Sequence, residues 1–216
     1  MENKFTVTKN KTGAIGNYYN KYDTKNIIEK IIIDNYFRKI LDICTRNSIN
    51  KFIDIGCGEG KWLYEFSKKG FNCIGTDQDE EVIRLAKKNI GDQNFNLFKS
   101  NIYDENFVEI INSKIGETGI NNIFFLEVLE HLNNPLTILK KFKEINFQNM
   151  ILTVPNEPLW RFLNCCRLKY LYKLGNTPGH INHFSYWKLK KILNENFKLI
   201  EMNFPIPFLI CLIKNA

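Results

Sequence analysis

The residues best suited to chemistry include a glycine-rich loop that follows a short apolar run and precedes a helical pattern. Its residues are Asp54, Ile55, Gly56, Cys57, Gly58, Glu59 and Gly60. Glycines at a strand-to-helix turn let the backbone turn tightly and approach a ligand closely. The start of the helix adds unpaired N–H groups and the positive end of a dipole. Taken alone, the loop would serve a dinucleotide, a phosphate or a nucleoside.

Two acidic residues narrow this choice. Asp54 lies two residues before the first glycine, where its carboxylate can accept a hydrogen bond from the amine of a bound amino acid. Asp77 ends the next predicted strand, about 20 residues further on, where an acid accepts hydrogen bonds from ribose hydroxyls. The alternative is that the glycines form only a tight turn and that Asp77 only caps the following helix. Because these features follow in order at the expected spacing, ligand binding is the preferred interpretation.

The chain has three histidines, His131, His180 and His183. Histidine suits the role of a general base because its unperturbed pKa lies near neutrality. All three fall in segments predicted to reach the carboxyl ends of strands, where ligands bind in open α/β sheets. We expect at least one of them to contact a substrate or to act as a base. Alternatively, His131 orients its own loop, and the other two fix a turn before a helix.

Alternating strands and helices are predicted to position these residues. Short, continuous apolar runs predict strands at 51–55, 72–77, 95–100, 121–127 and 149–154. Apolar residues near the helical period predict helices at 27–44, 61–69, 80–89, 135–145 and 186–194. Two final apolar runs, 197–204 and 208–213, are joined by a proline turn and predict a closing hairpin. This alternation is typical of a buried parallel sheet with helices on both faces.

One domain is expected to cover residues 1–216, with residues 1–48 as a helical lead-in. Residues 155–185 interrupt the strand and helix pattern and are expected to form a lid over the substrate pocket. Within them, the stretch from Trp160 to Tyr172 is aromatic and basic. Its side chains could clamp an anionic or planar substrate, although its apolar residues also fit an ordinary helical lid.

The composition restricts the classes of partner. The formal charge is +7, which favours anionic partners, but the lysines are spread along the chain rather than gathered in one block. A nucleic-acid partner is therefore not favoured. The six cysteines form no C-x-x-C pair, so reduced thiols and a cytoplasmic location are expected. No apolar run approaches the roughly 20 residues that a membrane-spanning helix needs.

Taken together, the motifs resemble those of class I S-adenosylmethionine-dependent methyltransferases. The segment 54–60 looks like their motif I, and Asp77 with Gln78 resembles their ribose-binding acid. Asn101 and Ile102 match the position whose residues flank adenine. The segment 127–132, which reads E-V-L-E-H-L, closely resembles a motif frequent in ubiquinone-pathway O-methyltransferases and their uncharacterised relatives. The segment 179–185, which reads G-H-I-N-H-F-S, resembles the C-terminal segment of the same group.

This resemblance implies a Rossmann-like α/β fold with a mostly parallel, seven-stranded sheet and a reversed last strand. It also implies S-adenosylmethionine as the cofactor and a small-molecule acceptor that is methylated on oxygen. The implied cofactor-binding residues are Asp54, Gly56, Cys57, Gly58, Gly60, Asp77, Gln78, Asn101, Ile102, Glu127 and Tyr19. Tyr18 and Tyr19 would close the cofactor pocket, or else pack on the first helix. The three histidines are the candidate catalytic residues.

Three other interpretations stay open. A nicotinamide-dependent oxidoreductase would want glycine or alanine at position 61, where Lys61 stands. The E-x-x-E-H cluster of Glu127, Glu130 and His131, with a later histidine, resembles the magnesium site of small-RNA 3′-terminal 2′-O-methyltransferases. The same string is frequent in small-molecule enzymes, so we expect no metal ion here. The third interpretation is a non-catalytic, cofactor-binding regulatory protein.

Overall fold

The structure is a computed structural model that describes residues 26–91, 96–168 and 170–215. Tyr18 and Tyr19, the tyrosines expected at the cofactor pocket, lie outside the described residues, as does most of the lead-in before the first helix.

Helices and strands alternate along the described chain. The helices are α1 (Ile27–Arg46), α2 (Lys61–Ser67), α3 (Glu80–Ile90), α4 (Phe107–Thr118), α5 (Pro135–Phe142), α6 (Leu159–Cys166) and α7 (Tyr186–Asn196). The strands are β1 (Lys51–Ile55), β2 (Asn72–Asp77), β3 (Asn96–Lys99), β4 (Asn122–Leu126), β5 (Asn149–Pro155), β6 (Lys198–Asn203) and β7 (Phe208–Lys214). Short 3₁₀ turns occupy Leu129–His131 and Leu171–Lys173.

The seven described strands form one sheet in the order β3-β2-β1-β4-β5-β7-β6. The first five strands pair in parallel, whereas β7 runs antiparallel to both β5 and β6. The predicted fold, a mostly parallel seven-stranded sheet with a reversed last strand, is therefore confirmed. The order reverses between β1 and β4, so the carboxyl ends of these strands border the crevice where ligands bind in open α/β sheets.

Helices cover both faces of the sheet, as the continuous apolar strands require. One face is packed by α4, α5 and α7, with Phe107, Ile111, Leu139, Phe142, Leu189 and Leu193 buried. The other is packed by α1, α2 and α3, with Tyr36, Ile40, Trp62, Phe66, Ile83 and Ala86 buried. On this second face the rings of Phe52 and Phe124 stack at a centroid distance of 3.7 Å, which fixes β1 against β4. These two strands carry the loops from which the site is built.

Side-chain caps set where α1, α3 and α7 begin, and Ser185 caps α7 by accepting from Lys188 N. Asn26 caps α1 by accepting from Ile28 N at 2.9 Å, and Asp79 caps α3 by accepting from Glu81 N at 2.7 Å. Caps of this type stabilise a helix by about 1 kcal/mol. The Asp79 cap starts α3 immediately after β2, so the chain turns sharply at Asp77.

Helix α4 was not predicted from the sequence. It has no side-chain cap at its start, and Asn112, Ser113 and Gly116 lower its helical propensity. Its buried residues, Phe107 and Ile111, are one helical turn apart and form the signal that could have identified it. Tertiary packing therefore specifies α4 more than local propensity does.

The structure also describes the state of the cysteines and the length and polarity of the helices. All six cysteines are unpaired. Among the described residues, every helix is either too short or too polar to cross a bilayer.

Two glycine substitutions should change stability in opposite directions. A Cβ at Gly75, in the middle of β2, would lie 2.5 Å from Leu63 Cδ1 and 2.7 Å from Leu97 Cδ2. Gly75→Ala should therefore destabilise the protein by about 1–3 kcal/mol, a typical cost of overpacking a core. Gly116, inside α4, has open space at its Cβ position, so Gly116→Ala should stabilise by about 0.5–1 kcal/mol. Urea denaturation measures both changes, and equal effects would contradict the packing of β2.

Candidate functional site

The glycine loop is fixed to the carboxyl end of β2 by its backbone. Gly56 N and Cys57 N both donate to the Thr76 carbonyl oxygen, at 2.8 and 3.0 Å. The carboxylate of Asp77 then accepts from Gly58 N at 3.1 Å and from Asp79 N at 3.2 Å. Asp77 thus joins the glycine loop to the start of α3.

Gly56 and Gly58 differ in the space around their Cα atoms. Gly56 has a φ of +80°, and a Cβ there would lie 2.6 Å from Val128 Cγ2, so the loop packs directly on the segment that follows β4. Gly58 has a φ of +53°, but a Cβ there would meet nothing within 4 Å. The backbone at Gly58 therefore borders open space, as an approach to a ligand requires.

Asp54 lies at the end of β1 and is 2% exposed. Its Oδ1 has no hydrogen-bond partner among the described residues. Burial raises the pKa of Asp54 to about 8, and the nearby charge of Asp77 contributes to the increase. A buried carboxylate without a hydrogen bond is costly, so this group is suited to pair with a cationic or donor group of a ligand.

The end of β3 meets the same crevice. Ser100 N donates to the Asp77 carbonyl oxygen at 3.0 Å, which aligns the segment after β3 with the end of β2. The Asn101 side chain accepts from Tyr103 N at 3.1 Å and so forms a local turn. Ile102 is buried in the core, and Gln78 is exposed. Asn101 therefore directly follows the residue whose N–H pairs with Asp77.

Glu127 is held in an unusual backbone conformation. Its φ is +58°, in the left-handed region that costs a non-glycine residue about 1–3 kcal/mol. Its N–H donates to the carbonyl oxygen and to Oγ1 of Thr153, at 3.2 and 3.1 Å. The Thr153 hydroxyl donates to Glu127 Oε1 at 3.0 Å. Because that hydroxyl has a single hydrogen, the contact of 2.8 Å between Tyr36 and Thr153 has the Tyr36 hydroxyl as donor.

Tyr36 and Thr153 were not identified from the sequence. Thr153 carries a signal that could have found it, because it is the one hydroxyl in the apolar run of β5. Tyr36 lies on the buried face of α1 and is 117 residues away from Thr153 in the chain. Only the fold brings the two together, and their contact braces Glu127 from the side of α1.

Glu130, His131 and His180 form a cluster in which one ligand atom from each lies within 4.8 Å of the others. Glu130 is 1% exposed, and its Oε1 lies 3.9 Å from His131 Nε2. His131 Nδ1 lies 2.9 Å from the Gly179 carbonyl oxygen. A carbonyl can only accept, so Nδ1 carries the hydrogen and Nε2 of the neutral ring keeps its lone pair. This nitrogen can take a proton or bind a metal ion.

Backbone hydrogen bonds join the two segments that carry this cluster. The Glu130 carbonyl oxygen accepts from Ile181 N and Asn182 N, both at 3.0 Å. Asn182 Nδ2 donates to the Leu132 carbonyl oxygen at 2.6 Å. The two motifs singled out from the sequence, 127–132 and 179–185, are therefore in direct contact.

His183 lies in a different cluster from the other two histidines. Its Nδ1 is 3.7 Å from Oε1 of Glu157, a buried acid that follows β5 and was not identified from the sequence. Burial lowers the pKa of His183, and the charges of Arg161 and Lys188 lower it further. The structure thus divides the candidate catalytic histidines between two places.

The segment expected to form a lid contains α6. Trp160 of this helix donates through Nε1 to Thr177 Oγ1 at 2.9 Å, and its ring is roughly parallel to that of His180 at a centroid distance of 6.2 Å. The same ring contacts Phe208 of β7 at 5.3 Å. Trp160 therefore connects the segment to both the sheet and the histidine cluster.

Comparison with known proteins gives one family and a set of similar folds. The family described as "Methyltransferase domain" matches residues 28–201. A ubiquinone biosynthesis O-methyltransferase from Actinobacillus pleuropneumoniae serotype 7 (strain AP76) is 28% identical over 95 residues, 44% of this chain. The match spans 40% of that relative's length.

Three solved structures illustrate the likeness in fold. The PH0226 protein from Pyrococcus horikoshii OT3 has a TM-score of 0.65 at 13% identity, covering 92% of this chain and 96% of that one. The methyltransferase domain of bacterial CtHen1 has a TM-score of 0.60 at 19% identity, covering 85% and 99%. Magnesium protoporphyrin IX methyltransferase from Synechocystis PCC 6803, solved with bound SAH, has a TM-score of 0.59 at 14% identity, covering 89% of both chains.

The raised pKa of Asp54 predicts how the ligand-free protein responds to pH. A carboxyl whose pKa is near 4 when unfolded and about 8 when folded binds more protons in the folded state between these values. Stability should therefore fall as pH rises through this window. Asp54→Asn should remove that part of the decline, so the variant should gain stability relative to wild type as pH increases. Denaturant unfolding at pH 5 and pH 8 measures the difference, and parallel profiles would contradict the assignment.

Proposed function

The chain belongs to the methyltransferase domain family and is an S-adenosylmethionine-dependent methyltransferase, and from this premise we propose that it methylates an oxygen atom of a small-molecule acceptor. The observation that carries the proposal is His131, whose Nδ1 is held by the Gly179 carbonyl oxygen and whose Nε2 lies beside buried Glu130. A base oriented in this way suits an acceptor hydroxyl, which must lose its proton.

The residues of the glycine loop fit the cofactor. Asp54 would accept from the amine of its methionine part, since Asp54 is buried and its Oδ1 has no other partner among the described residues. Open space at Gly58 leaves room for the cofactor beside the backbone. Cys57, Gly56 and Gly60 complete the proposed contacts through the shape of the loop.

Asp77 would accept from the ribose hydroxyls. Its oxygens accept from Gly58 N and Asp79 N, and the backbone N–H of Gln78 also acts on the carboxylate. Because a carboxylate has about four acceptor positions, one is left for ribose. Gln78 follows Asp77 on the proposed ribose side. The proposed adenine contacts come from Asn101 and Ile102, which follow β3. Glu127, braced by Thr153, would face the methionine part of the cofactor.

The cofactor supplies an activated methyl group when bound, so the protein chiefly has to place the acceptor and exclude water. In our proposal His131 Nε2 accepts the proton of the acceptor hydroxyl. Glu130 stabilises the resulting imidazolium, and His180 borders the same space. Trp160 and the rest of α6 cover the cluster on the side of the lid segment.

The proposal includes a reducing, cytoplasmic location. It is supported by the six cysteines, none of which is paired. Disulfides persist mainly in oxidising compartments, and a chain with six free thiols fits a compartment that keeps thiols reduced.

A second candidate function is metal-assisted methylation of an RNA 3′-terminal 2′-hydroxyl. The observation that favours it is the cluster of Glu130, His131 and His180, whose ligand atoms lie close enough to share one ion. Against it, Glu127 is engaged by Thr153, and one carboxylate with two imidazoles is an unusual donor set for magnesium. Steeply salt-dependent binding of a short RNA would favour this candidate over ours.

Asp77→Ala should weaken binding of S-adenosylhomocysteine. The variant loses a charged hydrogen-bond acceptor, which corresponds to about 1–3 kcal/mol of binding free energy. Isothermal titration calorimetry measures the change, and the thermal unfolding midpoint shows whether the variant is folded. Asp42→Ala, at an exposed acid of α1, is the matched control and should bind like wild type. Unchanged affinity in a folded Asp77→Ala protein would show that Asp77 does not contact the ribose.

His131→Ala should lower methyl transfer to hydroxylated small molecules and leave S-adenosylhomocysteine affinity unchanged, because the ring would act on the acceptor alone. Turnover of the wild type should survive a chelator such as EDTA. Labelled S-adenosylmethionine measures the first effect, and titration with Mn²⁺ alone measures any metal binding independently of turnover. Activity that is lost with EDTA and restored by Mg²⁺ or Mn²⁺ would instead support the metal-assisted candidate. Wild-type protein that transfers no methyl group to any acceptor would support a regulatory role.

A further inference from the structure

A polar cavity lies apart from the Glu130 cluster, next to the carboxyl end of β5. Its volume is about 230 Å³, and its walls are formed by Glu157, Pro158, Arg161, His183 and Ser185. Backbone contacts hold it in place, because Glu157 N donates to the Phe184 carbonyl oxygen at 2.8 Å. The cavity is therefore a fixed feature of the junction between the lid segment and the segment before α7.

The acid in this cavity has few partners. Glu157 is 5% exposed, and neither carboxylate oxygen has a hydrogen bond of ordinary geometry among the described residues. Burial raises the pKa of Glu157, and the backbone N–H and the charge of Arg161 offset only part of that increase. His183 Nδ1, also without such a hydrogen bond, lies 3.7 Å from Glu157 Oε1, which is too long for a hydrogen bond. Buried polar atoms are almost always hydrogen-bonded in folded proteins, so these three atoms are suited to pair with a polar group of a ligand.

The charges around the cavity restrict the nature of that group. An anion would be repelled by Glu157, and a cation would be repelled by Arg161 and by Lys188, whose Nζ donates to the His183 carbonyl oxygen at 3.1 Å. A neutral group that both donates and accepts hydrogen bonds meets all of these side chains favourably. A hydroxyl has this property, since it can donate to the Glu157 carboxylate while accepting from Arg161.

The position of the cavity relates it to methyl transfer. His180 belongs to the Glu130 cluster, and His183, three residues later, lines the cavity. The Cα atoms of His180 and His183 are at most about 10 Å apart, because an extended chain spans about 3.3–3.6 Å per residue. A sugar ring with its substituents is long enough to bridge the Glu130 cluster and the cavity at that separation. The two clusters would then contact different hydroxyls of one acceptor.

We propose that Glu157, Arg161 and His183 bind a second hydroxyl of the acceptor, and that the acceptor is a neutral, polyhydroxylated molecule of the sugar or polyol class. This inference rests on the proposed function, because it assumes that a hydroxyl near His131 is the one methylated. Glu157 and His183 then determine which acceptors are recognised, and His131 acts on the reacting oxygen.

Saturation-transfer NMR on the protein saturated with S-adenosylhomocysteine tests this inference with D-glucose as the probe. Glucose should receive saturation, whereas tetrahydropyran, the ring without hydroxyls, should not. Gluconate and glucosamine, which add a negative and a positive charge, should give weaker signals than glucose. Tetrahydropyran signals as strong as those of glucose, or no glucose signal, would overturn the proposal.

Variants of two residues that line the cavity test whether glucose binds there. Glu157→Gln and His183→Asn should each reduce the glucose signal by about half or more, since each removes a buried hydrogen-bonding partner. Glu195→Gln, at an exposed acid of α7, is the matched control and should give the wild-type signal. Because either variant alone suffices, a folding defect in one leaves the other as the test. Wild-type signals in a folded Glu157→Gln or His183→Asn protein would overturn the proposal.

Failure of the cavity assignment and failure of the proposed function give different results. If methyl transfer to small-molecule hydroxyls is observed while glucose shows no binding that depends on Glu157, the cavity assignment alone is wrong. If methyl transfer is found only with RNA, the proposed function is wrong, whatever glucose does.

Discussion

The carboxylate of Asp77 is the contact on which the candidate site depends. It accepts from Gly58 N and from Asp79 N, and so it fastens the glycine loop to the end of β2 and to the start of α3. Asp54 lies behind it with a pKa raised by burial to about 8. Two acids close together in a buried place are unfavourable unless a donor or a cation joins them. The protein therefore maintains, at the end of β1, an arrangement that a bound amine and ribose would stabilise.

The acceptor side is built by a different kind of constraint, the contact between two loops that are far apart in sequence. The Glu130 carbonyl oxygen accepts from Ile181 N and Asn182 N, which brings His180 beside His131. The loop after β4 is held by Thr153, whose hydroxyl bonds to Glu127, and Tyr36 in turn bonds to Thr153. This bracing explains how Glu127 retains a left-handed backbone conformation. In the proposed enzyme, the segment 127–132 thus contacts the cofactor through Glu127 and the acceptor through His131.

The sequence alone predicts the parts of this arrangement that are local. The glycine loop, the acid at the end of β2 and the succession of strands along the chain all follow from residue types within short windows, and the structure contains them. The arrangement of those strands in the sheet was implied by the resemblance to the methyltransferases. Contacts between distant residues could not be predicted, and the link between Tyr36 and Thr153 is the clearest example. The division of His180 and His183 between two clusters was missed for a similar reason. Spacing places both residues in one segment, but only the packing of Glu130 and Glu157 against that segment decides which histidine each acid meets.

Asp54 is proposed to bind the amine of the cofactor, and the number of protons exchanged on binding tests this role most directly. With a pKa of about 8, Asp54 is largely protonated in the ligand-free protein at pH 7. Pairing with a protonated amine favours the charged carboxylate, so binding of S-adenosylhomocysteine should release close to one proton. Calorimetry in buffers of different ionisation enthalpy counts that proton. We expect the wild type to release this proton and Asp54→Asn to bind without releasing it. Tight binding by the wild type without proton release would contradict the role of Asp54.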